Sequence, residues 1–515
     1  MNRVLLLAMF ICCILGTTVN AQQRYLDPIF DDVTVTTNVM YGVNATVITY
    51  NVPAIGEAVP QPLMMDVYTP TNDTETDRPV YLLFHTGNFL PFPDNGGTGG
   101  TKEDSVLVEI CTDLAKRGFV AAAVSYRSGW NPLAPTQDQR VFGLINAAYR
   151  GIQDTRTAVR YMRLSVDQLG NPYGINPEKI GVWGDGTGGY LTLNTTALDS
   201  YEKILIPKFI TEIPDGTGGT IPYPMIQEAI NGDIYGTSVG VVDAVNSAVT
   251  GFNLGDTLAY PNHIGYSSDI SIAVNMGGAL GDTTWLDAGQ APIISFQTPT
   301  DPFAPYTCGI VNVPVVNLPV VEACGAYTVG SIQTAFGNNQ EWIDFGFNDS
   351  YSEAANVNND GFEGLMPLLV EDPTESAPWQ FWADDNPNSS EPSDPEAARI
   401  YLDSIYNYVL PRTCITMDLN CDLTGYSNTK EVVSASAVGL KYSPNPASSS
   451  IVFTSNDEDP MLDVVVYDLQ GRTVATNFEV NNSTFELNRN DMINGMYYVQ
   501  IRFEAGISTQ KVVFN

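Results

Sequence analysis

Short, continuous apolar runs punctuate the chain at Val80 to Phe84, Phe119 to Val124, Ile180 to Trp183, Ile272 to Val274 and Ile293 to Phe296. A strand that is apolar without alternation is covered on both faces, and parallel neighbours need a crossover between them, usually a helix. The intervening segments have that character. Glu103 to Lys116 is helical by spacing; Ile145, Ala148, Ile152, Thr155, Val159 and Met162 recur at intervals of three and four; Ala397, Ile400, Tyr401, Ile405 and Tyr408 mark a closing helix. Upstream, Val33 to Tyr41 alternates like an exposed strand and Leu63 to Tyr68 supplies a second. The pattern predicts an α/β domain with a mostly parallel, doubly wound sheet.

The alternation breaks over residues 201–268, where Gly-rich pieces such as Asp215 to Gly219 suggest a lid-like insertion over the carboxyl edge of the sheet, the edge at which α/β proteins place their sites. Asn348 to Asp360 is Asn-rich and predicts a solvated loop. Asn356, Asn358 and Asp360 are spaced like part of a calcium loop, but the full pattern is not met, and no metal or cofactor is expected. Composition shifts after Leu410. Cys414 to Ser427 is turn-rich, and from Val438 the runs Ile451 to Thr454, Leu462 to Tyr467, Tyr497 to Phe503 and Lys511 to Phe514 predict a small β-sandwich. The expected organisation is a domain over 22–412, a linker over 413–437 and a second domain over 438–515. A length of 515 residues accords with two folded units.

Residues 1–21 carry Arg3, an apolar run from Val4 to Leu15 and a small-residue end at Ala21, the pattern of a secretory signal cleaved after Ala21. That run is too short to span a bilayer, and no later segment reaches a spanning length. With 23 basic against 58 acidic residues the formal charge is −35, a field that repels nucleic acid and anionic membrane, so neither is expected as a partner. Export leads to an oxidising compartment, where Cys308 with Cys324 and Cys414 with Cys421 are close enough in sequence to form local disulfides. Cys111 lies on the apolar face of Leu107, Ile110 and Leu114 and is expected to be a buried, inert thiol.

The tail has ordered landmarks: Tyr442-Ser443-Pro444-Asn445-Pro446, Val466-Tyr467-Asp468 with Gly471-Arg472, Asn494-Gly495-Met496-Tyr497-Tyr498-Val499, and a final Lys511-Val512-Val513. It resembles the C-terminal type A sorting domain of the type IX secretion system. That resemblance implies export across a bacterial outer membrane by the type IX machinery, with release or attachment at the cell surface.

Gly184-Asp185-Gly186-Thr187-Gly188 follows a predicted strand, and Gly184, Gly186 and Gly189 satisfy the dinucleotide-binding spacing, a weak signal this deep in a domain. The neighbours favour another reading. Phe84-His85-Thr86-Gly87-Asn88-Phe89, Val124-Ser125-Tyr126-Arg127, Gln153-Asp154-Thr155-Arg156 and Asn176-Pro177-Glu178-Lys179-Ile180-Gly181-Val182-Trp183-Gly184-Asp185 stand in the order of the α/β-hydrolase esterases of the carboxylesterase and hormone-sensitive-lipase type, which they resemble. The resemblance implies an α/β-hydrolase fold. It sets Gly186 at the nucleophile position, Asp301 at the triad acid, and the backbone of Gly87, Asn88 and Thr187 at the oxyanion hole. Phe89, Trp130 and Tyr190 are candidates for the pocket lining.

The chemistry this family requires is incomplete. Glycine at 186 has no side chain to attack a carbonyl, and a triad histidine should follow the acid in the chain. The histidines of the sequence, His85 and His263, both precede Asp301, and Asp372 to Ala377, where the residue is expected, holds none. A triad acts as a unit, and with a member gone only oxyanion-hole and binding effects remain, ~10³ to 10⁴ over water. The elbow is expected to aim only its central residue at a substrate, and the glycine there to widen the pocket floor. Asp301 could act as a lone base if burial raises its pKa. The leading expectation is therefore a secreted, esterase-like protein without serine-esterase activity, holding a small-molecule, ester or glycan-like ligand. The alternatives are an ester hydrolase with nonstandard catalytic residues, and a surface adhesin or structural component.

Overall fold

The computed structural model describes residues 22–515 apart from 93, 98, 314–316, 371–390, 393, 428–432, 470–471, 478–479, 491 and 504–505. The expected signal segment, and the stretch 372–377 in which a triad histidine is expected, lie outside the described residues. The chain divides into two units, Met1–Asp344 with Asp349–Leu423, and Phe345–Asn348 with Thr424–Asn515.

The first unit begins with β1 (Val33–Thr46), β2 (Val59–Pro70) and β3 (Arg78–Phe84), followed by helix α1 (Ser105–Lys116), β4 (Val120–Val124), helix α2 (Gln137–Gln168), β5 (Ile175–Asp185) and helix α3 (Thr187–Ala197). Two small antiparallel pairs follow, β6 (Ile210–Pro214) with β7 (Thr220–Pro224) and β8 (Gly240–Val241) with β9 (Thr257–Ala259). Then come β10 (Ile272–Met276), β11 (Ile293–Gln297), the hairpin β12 (Cys308–Val313) and β13 (Leu318–Cys324), β14 (Leu365–Pro367) and a closing helix, Pro395–Thr416. The eight-stranded sheet has the order β1-β2-β4-β3-β5-β10-β11-β14. Its first pairings are antiparallel and the rest, from β4 to β14, are parallel. This is the mostly parallel, doubly wound α/β arrangement that the apolar runs predict.

The reason is visible in the burial. All residues of β3, β4, β10 and β11 are buried, as strands sandwiched by helices must be. β1 is longer than its alternating stretch suggests: its first residues are exposed, and from Tyr41 onward it runs into the core. Helix α2 starts at a capping box of Thr136 and Gln139 and extends well beyond the periodic stretch read from the sequence. Its middle carries Asp154, which accepts from the Arg127 backbone N–H at 2.8 Å and from its guanidinium, both side chains being wholly buried. This pair ties the end of β4 to α2.

The Asn-rich stretch after Asn348 departs from the expected loop. Ser350–Asn356 is helical because the Asp349 carboxylate accepts from the N–H groups of Tyr351 and Ser352, at 3.0 and 3.1 Å, and so caps the first turn. Disulfides join Cys308 to Cys324 and Cys414 to Cys421, and Cys111 is a buried free thiol. Among the described residues, no helix is long and apolar enough to cross a membrane.

In the second unit, β15 (Lys441–Ser443), β16 (Ser450–Thr454) and β19 (Thr484–Asn488) form one antiparallel sheet, and β18 (Thr473–Asn477), β17 (Asp463–Tyr467), β20 (Gly495–Phe503) and β21 (Gly506–Phe514) form another. Alternate residues such as Ile451, Phe453, Val464, Val466, Val499 and Ile501 make the core between them.

Candidate functional site

Register brings the strand ends to one edge. Phe84 pairs with Val124 and Gly184, Asp185 with Met276, and Met276 with Phe296. His85 to Asn88, Gly186, Gly277 and Asp301 therefore leave the sheet side by side.

The turn after β5 keeps the geometry of a strand-to-helix elbow. Gly186 has φ +51° and ψ −109°, a backbone region that L side chains rarely adopt, and its N–H donates to the Met276 carbonyl at 2.7 Å. The flanking glycines have a packing role: a Cβ on Gly184 would collide with the Gly188 backbone, and one on Gly188 with the Phe84 carbonyl. This close approach of strand, turn and helix accounts for the glycine spacing without a nucleotide.

The glycine at 186 does not widen the floor. A Cβ there would collide with the Thr86 hydroxyl and stand 3.0 Å from the Thr86 Cβ. Thr86 thus fills the volume that a side chain at 186 would need, and the expected gain in space is corrected. The legible signal was a residue with a Cβ directly after the loop histidine, where the HGG-type loop has glycine.

The loop after β3 is pinned. Gly87, Asn88 and Phe89 all have positive φ. The Asn88 N–H donates to the Thr187 hydroxyl at 2.7 Å, so among the assigned oxyanion donors this one is already engaged. The Trp130 indole N–H donates to the Asn88 carbonyl at 2.8 Å. His85 is buried, stacks on Tyr126 and bonds through Nδ1 to the Thr86 carbonyl at 2.6 Å; burial pulls its pKa down to about 4, so the ring is neutral. His263 lies away from this edge, its Nε2 bonded to the Tyr41 carbonyl at 2.7 Å.

Above the elbow is a cavity of about 240 Å³. Phe89, Trp130, Tyr190, Gly87, Asn88, Gly186, Thr187 and Asp301 all line it. Helix α2 supplies one apolar wall with Leu144, Ile145 and Ile152, the β12–β13 hairpin another with Val311, Val320 and Val321, and the 201–268 segment adds Ile204 and Phe209. The Cys308–Cys324 bond closes the base of that hairpin.

The cavity also holds carboxylates: Asp301, which the motif order singles out, and Asp185 and Asp104. Asp185 lines it, contrary to the expectation that the elbow aims only its central residue there. Burial, with Asp104 and Asp301 nearby, raises the Asp185 pKa to about 7. Asp301 sits in the turn after β11: Oδ1 accepts from the N–H groups of Phe303 and Ala304 at 2.7 and 3.1 Å, while the buried Oδ2 has no hydrogen-bond partner. Burial outweighs those N–H groups and the nearby Gln297 side chain, and raises its pKa to about 6. Asp104, bonded to the Gly100 and Thr101 N–H groups before α1, is likewise raised to about 6 by burial. Asp104 is remote in sequence from every motif, so only the fold brings it here. Among the described residues, no cluster of three or more His, Cys, Asp or Glu side chains is arranged to hold a metal ion. Chemically, the site offers hydrogen-bonding groups and weak bases within apolar walls, with no side chain at Gly186 itself.

Comparison with known proteins places two parts of the chain. Residues 65–205 match the BD-FAE family model, an esterase-like α/β-hydrolase domain, and residues 442–515 match the secretion system C-terminal sorting domain. No curated protein sequence matches significantly. Among solved structures, the butyrate-bound thermophilic esterase of the planctomycete Thermogutta terrifontis is similar at 17% identity and TM-score 0.28, over 48% of this chain and 70% of that one. Thermogutta terrifontis esterase 2 phosphoramylated by tabun is similar at 16% and 0.28, over 54% and 76%. At such scores the fold rests on the sheet order and the family model instead.

Proposed function

The chain carries an esterase-like α/β-hydrolase domain and a tail that marks type IX secreted, cell-surface proteins, and from that premise we propose that it is a binding protein that has lost serine-esterase chemistry and kept the cavity. The observation that supports this most is the pairing of Thr86 with Gly186: the nucleophile side chain is absent and its volume is filled by a neighbour. An active site merely lacking its serine would leave that space open. The absence of a histidine after Asp301 removes the general base as well.

The test is hydrolysis of nitrophenyl butyrate, with fluorophosphonate labelling in parallel. The unmodified protein is expected to be silent in both assays. Gly186→Ser alone should remain silent, because its side chain meets Thr86. Thr86→Gly with Gly186→Ser, and a histidine introduced immediately before Pro378, is the variant in which labelling and turnover should reappear. Labelling of the unmodified protein that is lost on unfolding overturns the proposal.

One observation favours a second reading. Burial lifts Asp301 to about 6 and Asp185 to about 7, the range in which a carboxylate can act as general base on water near neutral pH. In that case the unmodified protein turns over an ester with a rate that rises between about pH 6 and 7, and Asp301→Ala abolishes it.

A further inference from the structure

The cavity floor holds two carboxylates, Asp185 and Asp301, with no cation among the described lining residues. Asp185 is 5% exposed, lines the cavity, and no described backbone or side-chain donor reaches its carboxylate. Asp301 Oδ2 is buried and equally without a partner. Three of the donors nearby are already used: the Trp130 indole on the Asn88 carbonyl, the Tyr190 hydroxyl on the Phe303 carbonyl, and the Asn194 amide on the Tyr190 and Ala279 carbonyls. None of the described lining residues is Lys, Arg or His.

A buried carboxylate without a partner is costly, and where the pH keeps it ionised the cost is relieved by a donor or a cation. A ligand can supply the missing partner. A carboxylate or phosphate ligand would meet like charges. A bare metal ion finds no converging ligand set among the described residues. A glycan would lay its hydroxyls against apolar walls. An ammonium group is donor-only, carries three N–H bonds and opposes the charge of the floor.

We propose that the cavity binds an organic ammonium compound, its cationic head seated between Asp185 and Asp301 and its apolar body against α2 and the β12–β13 hairpin. This inference rests on the binding-protein reading above and names the ligand class for it. The long-range field of the chain, with a formal charge of −35, acts in the same direction by raising the local concentration of cations.

The experiment is titration calorimetry at pH 8 with three probes of matched shape: phenylbutylammonium, phenylbutanol and phenylbutyrate. Phenylbutylammonium should bind at least about tenfold more tightly than phenylbutanol, and phenylbutyrate should not bind, because the floor is ionised there. Asp185→Asn and Asp301→Asn should each remove most of the preference for the ammonium while leaving phenylbutanol binding, which also shows that the variants are folded. Equal affinity for alcohol and ammonium, binding of phenylbutyrate, failure of all three probes, or a preference that survives both substitutions overturns the inference. Nitrophenyl butyrate turnover measured on the same preparation separates the two claims. Turnover together with ammonium selectivity overturns the binding-protein reading and supports this one; no turnover and no selectivity overturns this one and leaves that reading in place.

Discussion

Asp154 and Asp185 are both buried carboxylates in the same α/β unit, and they are treated in opposite ways. Asp154, on α2, receives the guanidinium of Arg127 at 2.9 and 3.0 Å together with the Arg127 N–H, and both side chains are wholly inaccessible. Asp185, at the end of β5, has no donor among the described residues, and the charges that raise its pKa are other carboxylates. Where a buried acid serves the scaffold, the chain supplies its cation. Where an acid faces the cavity, that partner is withheld, and the distinction separates structural polarity from polarity left for a ligand.

The largest test of this contrast is on the scaffold side. Arg127→Ala leaves Asp154 buried and unpaired and should cost about 3–5 kcal/mol, read by denaturant unfolding. An effect no larger than that of an average surface substitution would erase the contrast.

On the cavity side the sign reverses. The folded pKa of Asp185, about 7, lies above its ordinary 3.8, so the folded state holds the proton more tightly. The stability this adds is present below about pH 4 and is lost as pH rises towards 7. Asp185→Asn should flatten that slope and be more stable than the parent at pH 8 by roughly 2–4 kcal/mol, at about 1.4 kcal/mol per pKa unit. Asp301→Asn should act in the same direction over a narrower window, from about pH 4 to 6, by roughly 1–3 kcal/mol. Melting curves collected across pH measure both.

The smallest effect concerns the elbow. Gly186→Ser should destabilise the chain through both its positive φ and the Thr86 contact, and Thr86→Gly should relieve only the contact, giving a coupling of about 1–2 kcal/mol in a double-mutant cycle. Strict additivity would mean that Thr86 does not occupy the nucleophile volume.

Much of the scaffold was legible beforehand because buried parallel strands and amphipathic helices leave periodic signatures. β3, β4, β5, β10 and β11 fall on the apolar runs, and α1 and the closing helix on their spacing. The helix at Ser350–Asn356 was missed because its cause is a single cap, Asp349, rather than a periodicity. At the site, Asp301, Gly87, Asn88 and Thr187 stand out in the motif order, and the fold brings them to one cavity. Asp104 does not, since nothing local sets it apart from any other acid at the start of a helix.

The architecture and the sorting tail follow from the chain alone, because strand burial and motif order are properties of the sequence. Only the tertiary structure decided that Thr86 fills the place at 186, that the Asn88 N–H is engaged by Thr187, and that Asp104, Asp185 and Asp301 share one apolar cavity. Those are distances between residues far apart in the chain, and the pKa values that follow depend on burial and neighbouring charge, which exist only once the sheet has brought its strand ends together.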